Sequence, residues 1–264
     1  MRLSVITDEI AAGLGRALDV CEELGIDAVE LRTVDGLQIV GHSREALNEL
    51  RAELDRRGFK VSAIASPFLK WDRGEAVHGV NEHALAAAAA LSAPVVRAFS
   101  YWREPDPSAA LPDLGEALHA AAAQAHDAGV TLALENEHEC NVATSAEARA
   151  ALDAAASHYL RLIWDPGNAA MLDPDAFSGL GGLETILDRV AHVHVKDVSA
   201  SGEWTRIGDG IVDFTALLRH LDTAGYDGYL SFETHYQRDG SGELATRDCV
   251  AALRDIAARA EVVL

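Results

Sequence analysis

A short run of β-type residues followed by a helix-type stretch recurs along the whole chain, and this repeat constrains its fold more than any other feature. The strand-like runs are Leu3–Ile6, Ala28–Leu31, Val61–Ala65, Val95–Phe99, Thr131–Leu134, Leu160–Trp164, Ala191–Val195 and Tyr229–Phe232. Helical patterns lie between them, at Ala11–Leu24, Arg44–Arg57, Ala84–Leu91, Asp113–Ala128, Ala146–Ala156, Phe214–Ala224 and Leu244–Ala258. The Ala-rich stretches read as ordinary helix, since alanine has the best helix propensity. From Asp173 to Arg189 the pattern is less regular, with Gly179, Gly181 and Gly182 ahead of a last helical piece. Eight such units, spaced by roughly 30 residues, match an α/β fold of the (β/α)₈ TIM-barrel type, one domain over residues 1–264. Gly25, Gly58, Gly129 and Gly225 each follow a helix and precede a strand, where a left-handed cap is wanted. A doubly wound sheet would carry a phosphate-binding glycine loop after its first strand, and "VITDEIAAG" offers none.

Composition narrows the partners. The chain has 264 residues, 49% of them hydrophobic, and a net charge of −20 from 22 basic and 42 acidic residues. That balance disfavours nucleic acid and anionic membranes, which are bound through lysine and arginine. The opening "MRLSVITDEI" meets Asp8 and Glu9 before any signal-length apolar core develops, and no apolar run is long enough to cross a bilayer. Cys21, Cys140 and Cys249 are few, odd in number and far apart. A reduced, cytoplasmic setting is expected. Self-association is left open.

Barrel chemistry takes place at the C-terminal ends of the strands. Those ends supply Glu30 and Arg32 ("AVELR"), Ser66 and Lys70, Glu135 ("LALEN"), Asp165 ("LIWDPGN"), His194 and Lys196 ("HVHVKD"), and Glu233 and His235 ("YLSFETH"). Alternation on a strand assigns faces. If Glu135, Asp165, His194 and Glu233 point inward, then Leu132, Leu134, Leu162, Trp164, Val193, Val195, Leu230 and Phe232 all point outward at the helices. Three carboxylates and one imidazole at one focus need a neutralising cation. An oxygen-rich set with one histidine favours Mn²⁺, Co²⁺ or Mg²⁺, with Zn²⁺ admitted as an alternative.

The segments "ALEN", "WDPGN", "HVHVKD" and "IGDGIVDF…GYDGYLSFETH", in this order, resemble the xylose-isomerase-like superfamily of TIM barrels. It includes sugar isomerases and epimerases, keto-inositol dehydratases and AP endonucleases. The resemblance covers essentially the whole chain. It implies that Glu135, Asp165, His194 and Glu233 bind one divalent metal, and that Glu135 and Glu233 also act as acid and base. Two departures stand out. Asn168 occupies a position where the family often has a histidine, and the third and fourth strand ends lack the histidines of the endonuclease zinc cluster.

Other candidates carry plainer alternatives. Lys70 and Lys196, two of only three lysines, could bind substrate oxygens or merely offset the acidic ligands. Arg206 resembles a family loop arginine that contacts substrate. Asn168 and Glu30 complete the expected substrate contacts; a buried ion pair would explain Glu30 as well, and also Arg97 and His138. Asp165 precedes Pro-Gly and could be a turn residue. His192 is read as a buried polar-layer residue. Trp102, Phe68 and Trp71 read as loop packing, Cys140 as incidental, and "GDGIVDF" as a turn into a helix capped by Asp213 rather than a phosphate loop. The expected activity is metal-dependent isomerisation or epimerisation of a small sugar or keto-polyol. Lyase chemistry is the alternative, and a sugar-binding barrel or a nuclease stands behind it.

Overall fold

Period-two alternation turns the expected runs into strands that close on one another. The computed structural model describes residues 1–264 apart from 176 and 178. Eight parallel strands form the barrel: β1 (Arg2–Ile6), β2 (Ala28–Leu31), β3 (Lys60–Phe68), β4 (Val95–Ala98), β5 (Thr131–Glu135), β6 (Arg161–Trp164), β7 (Val190–Val195) and β8 (Tyr229–Phe232). They follow chain order around the ring, and β1 closes it against β8, with Ser4 opposite Ser231. A helix follows each strand: α1 (Leu14–Glu23), α2 (Arg44–Arg57), α3 (Val80–Leu91), α4 (Leu111–Asp127), α5 (Ser145–Ala155), α6 (Pro166–Leu172), α7 (Phe214–Thr223) and α8 (Gly242–Ala260).

The expected faces are borne out. Leu132, Leu134, Leu162, Trp164, Val193, Val195, Leu230 and Phe232 all belong to the main apolar core between strands and helices. Burying each such side chain contributes roughly 1.5–3 kcal/mol. Ala63, Val95, Ala133 and Ile163 form a separate small cluster. Those on β5 and β6 alternate with the outward residues, which places the cluster inside the barrel. Ser4 and Ser62 join hydroxyls at 2.6 Å.

Boundaries shift where local chemistry decides them. β3 runs past Ala65 to Phe68 because its register against β4 slips between Ile64 and Phe68. The helix expected from Ala11 starts at Leu14, after a separate turn at Thr7–Ile10. The largest correction follows β6. The chain turns into α6 immediately at Pro166, and the helical piece expected before Arg189 is two short 3₁₀ turns, Leu183–Thr185 and Leu187–Arg189. Part of that irregular stretch, residues 176 and 178, lies outside the described residues. Gly58 ends α2 at φ +77°, as a left-handed cap requires, and Gly25, Gly129 and Gly225 share the positive φ. Among the described residues no helix is long and apolar enough to cross a membrane.

Candidate active site and metal centre

Four side chains expected at the mouth converge. Glu135 ends β5, Asp165 follows β6, His194 lies on β7 and Glu233 follows β8. All four are buried, and their ligand-type atoms lie within 4.8 Å of one another. His194 Nδ1 is the hub. It lies 2.9 Å from Glu135 Oε1, 3.4 Å from Glu233 Oε2 and 3.9 Å from Asp165 Oδ2.

Local structure explains Asp165. It caps α6, its Oδ1 accepting the Asn168 N–H at 2.9 Å. The turn role and the site role therefore coexist on different oxygens. Oδ2 is buried with no hydrogen-bond partner, although the Lys196 ammonium stands 3.0 Å away. Gly167 is required here. A Cβ at that position would lie 2.6 Å from Lys196 Cγ and 2.7 Å from its carbonyl oxygen. The Pro-Gly pair thus starts a helix hard against β7.

Around the four stands a ring of cations. Arg97 Nη1 is 3.1 Å from Glu135 Oε2 and 3.6 Å from Glu233 Oε1. Arg32 Nη1 reaches Glu233 Oε1 at 2.9 Å, and its other nitrogens hold Asp8 and Glu9. Lys196 donates to Glu233 Oε2 at 2.7 Å. Burial would raise the Glu233 pKa, but Lys196 and His235 hold it well below the ordinary glutamate range. Burial pushes Asp165 upward, only partly opposed by Lys196. For Lys196, burial works toward loss of the proton, but Asp165 and Glu233 raise its pKa above the usual lysine value.

Behind the hub, His194 Nε2 lies 3.1 Å from both oxygens of Glu30, and His192 Nε2 lies 3.0 Å from Glu30 Oε2. His192 is the buried polar-layer residue expected. Glu30, expected to touch substrate, is fully buried with its oxygens committed to the two imidazoles. Its place is that of a support fixing the His194 ring. Burial would lower the His194 pKa, but Glu30 and Glu135 raise it well above its ordinary value. A cation at Nδ1 requires that nitrogen unprotonated, so ion uptake would release a proton.

The remaining candidates separate. Asn168 is buried beside the four; its amide donates to the Asn136 carbonyl at 2.9 Å and lies 3.4 Å from Glu135 Oε1. Its Oδ1 is 3.1 Å from His138 Nδ1. Lys70 lies at the mouth, 3.0 Å from Glu137 Oε2 and 4.6 Å from the Phe99 ring centroid. Arg206 sits apart on an outer loop, bonded to Asp209 at 3.3 Å and to none of the four. The "GDG" segment is indeed no phosphate loop. Its backbone N–H groups at Gly208, Gly210 and Val212 are consumed by the Asp197 carboxylate, and Asp213 caps α7. Cys140 is buried and its thiol is pushed up to about 12, so it offers no nucleophile.

Sequence reasoning missed two contributors. Arg32 was visible as a strand end, but only the ring closure brings β2 and β8 to either side of β1. Trp204 lies on a short hairpin pairing Asp197–Val198 with Trp204–Thr205. Its ring is 5.0 Å from Lys196 Nζ and packs edge-on against His138 and His235. Nothing in the sequence around Trp204 signals that approach.

The donor set fits a divalent cation. It offers three carboxylates, one imidazole nitrogen and an orphaned buried oxygen at Asp165, a chemistry that selects hard to borderline ions.

An inosose dehydratase of Clostridium perfringens is 28% identical over 138 residues, 46% of this chain and 46% of that protein. The match thus spans about half the length of these curated relatives. In fold, the chain is similar to the IolI protein solved with a bound zinc atom, at 20% identity, 98% and 99% coverage and a TM-score of 0.80. It is also similar to 3-keto-D-glucoside 4-epimerase from E. coli, at 18% identity, 97% and 100% coverage and a TM-score of 0.76. The family description "xylose isomerase-like TIM barrel" matches residues 18–256, and the chain belongs to that family.

Proposed function

We propose that this protein is a divalent-metal-dependent isomerase or epimerase of a small polyhydroxylated ketone or aldose. One observation carries the reading. Glu135 and Glu233 each turn one oxygen toward His194 Nδ1 and the other toward Arg97. A divalent ion held by Glu135, Asp165, His194 and Glu233, with Mn²⁺, Co²⁺ or Mg²⁺ favoured over Zn²⁺, would polarise the substrate carbonyl and stabilise negative charge beside it.

The chain's own residues do the rest. One glutamate takes a proton from the carbon next to the carbonyl, and the C–H electron pair moves into the enediolate. The other glutamate returns a proton. Return to the opposite face of the same carbon gives an epimer, and return to the adjacent carbon gives an isomer. Glu30 fixes the His194 ring, and Arg97 and Arg32 fix the glutamates. Of the expected substrate contacts, Lys70 is the partly exposed one at the mouth. Lys196 and Asn168 are buried with their polar atoms engaged by the protein and would meet substrate only on rearrangement. Arg206 would need its loop to turn inward.

A second reading is dehydration of a keto-inositol or keto-sugar, in which the same intermediate expels a β-hydroxyl. The names of the curated relatives favour it, and so does His138 at the mouth. Burial would lower the His138 pKa, but Glu137 raises it, as suits a proton donor to a leaving oxygen.

Chelator-treated protein reloaded with Mn²⁺ should be incubated with ketoses and inososes in deuterated water. Carbon-bound deuterium without loss of mass as water supports isomerisation or epimerisation, and loss of water supports the second reading. Protein that binds no divalent ion overturns both. We read the partner as a small carbohydrate, met in the cytoplasm, without nucleic acid or membrane, in keeping with the net charge of −20. Salt-sensitive retention and cleavage of abasic DNA would contradict this.

A further inference from the structure

We infer that Lys196 is an internal counter-ion that competes with the divalent cation for Asp165 and Glu233, so that loading the site swings its ammonium toward the mouth beneath Trp204. The inference rests on the metal reading above and concerns what this chain does before and during uptake.

The ammonium stands 2.7 Å from Glu233 Oε2 and 3.0 Å from Asp165 Oδ2. Those are the oxygens that face His194 Nδ1, at 3.4 and 3.9 Å. Lys196 thus occupies the edge of the donor set itself. Arg97 and Arg32 are different. They hold Glu135 Oε2 and Glu233 Oε1, the oxygens turned away from the imidazole, and do not compete. The contact with Asp165 Oδ2 lacks hydrogen-bond alignment, so charge alone holds it and a second cation can replace it.

Geometry also sets where the ammonium goes. The base of the Lys196 stem is pinned, because the backbone at Gly167 packs so closely that a Cβ there would lie 2.6 Å from Lys196 Cγ. Only the outer methylenes and Nζ can move. The Trp204 ring, on the hairpin that follows β7, already has the ammonium over it at 5.0 Å, so a cation released from the two carboxylates keeps that ring as its partner and closes on its face. A buried ammonium and a divalent ion sharing two carboxylates repel strongly, so retention of both in place is disfavoured. Loading would therefore deliver a substrate-facing cation along with the metal.

The test uses the full-length, chelator-treated protein and Zn²⁺ alone, a diamagnetic probe. Calorimetric titration should show Lys196→Met binding Zn²⁺ at least about tenfold more tightly than the wild type, the effect of removing one competing charge. Equal or weaker binding would overturn the inference, since Lys196 would then support the ligands instead of opposing the ion. Wild-type protein that takes up neither Zn²⁺ nor Mn²⁺ would instead sink the functional reading. A second measurement needs no Lys196 variant. The chain has three lysines, Lys60, Lys70 and Lys196, so ¹³C-labelled lysine gives a sparse spectrum, assignable through Lys60→Arg and Lys70→Arg. The Lys196 Cε signal should shift as Zn²⁺ is added and stop at one equivalent. A signal unmoved at saturation refutes the displacement.

Discussion

Asp165 and Asp197 are both buried aspartates just beyond neighbouring barrel strands, and their surroundings treat them oppositely. Asp197 accepts four backbone N–H groups, from Val198, Gly208, Gly210 and Val212, at 2.9–3.2 Å. Asp165 commits Oδ1 to a helix cap and leaves Oδ2 without a partner. A buried carboxylate is tolerated when its lone pairs are filled. Asp197 is filled by the chain and acts as a structural post. Asp165 is filled on one side only, beside three other ligand-type groups. The difference separates a buried carboxylate spent entirely on the backbone from one that keeps an oxygen free of hydrogen bonds for the proposed ion.

That comparison can be tested from its largest consequence downward. On the open side, Glu135→Gln and Glu233→Gln should each slow proton transfer by roughly 10²–10⁴-fold, the usual worth of a positioned acid or base. Exchange of the substrate C–H with deuterated solvent should vanish in one variant and survive in the other. Near-normal turnover in both would leave the pair as an ion cage. Next, Asp165→Asn should weaken divalent-ion binding by about 100-fold or more while keeping its cap and melting temperature. Asp197→Asn should do the reverse. Its amide would face backbone donors, lowering unfolding free energy by about 2 kcal/mol with ion affinity intact. Identical behaviour of the two variants would break the comparison.

Gly167→Ala is expected to cost ~1–2 kcal/mol through overpacking against Lys196, read from urea unfolding. The smallest effect concerns Glu9, another filled carboxylate, bonded to Arg32 and His235. Burial would raise its pKa, but His235 and Arg32 hold it down to about 2. A depressed folded-state pKa contributes stability above the unfolded value and loses it as pH falls. The advantage of wild type over Glu9→Gln should therefore fade between about pH 4.5 and 2. A difference constant across that window would exclude the linkage.

Much of this molecule was legible because strand alternation is unforgiving. Val193 and Val195 can only face helices if His194 faces the barrel, and the same holds for Leu134 and Glu135. Depth along the axis is a different matter. Period two assigns a face and not a layer, so Glu30 reads like a mouth residue although it lies behind His194. Residues that meet only through ring closure, such as Arg32 with Glu233, leave no local signal. Helix α6 was hidden because "PGNAAML" begins with turn residues and spans two turns at most, too short for periodicity to register.

The Asp197 post has a practical consequence for altering this protein. Two backbone rungs, Asp197–Val198 against Trp204–Thr205, and the ring of bonds around the carboxylate secure both feet of the hairpin. Its crest, Ser199 to Glu203, is tied mainly to itself, with Ser199 N donating to the Glu203 carbonyl and the Ser199 and Ser201 hydroxyls 2.9 Å apart. Side chains of the crest other than Gly202, whose φ of +77° favours glycine, are expected to be exchangeable without disturbing the anchorage. A combinatorial library confined to Ser199, Ala200, Ser201 and Glu203, with Gly202 kept, would vary the crest while the scaffold beneath it stays fixed.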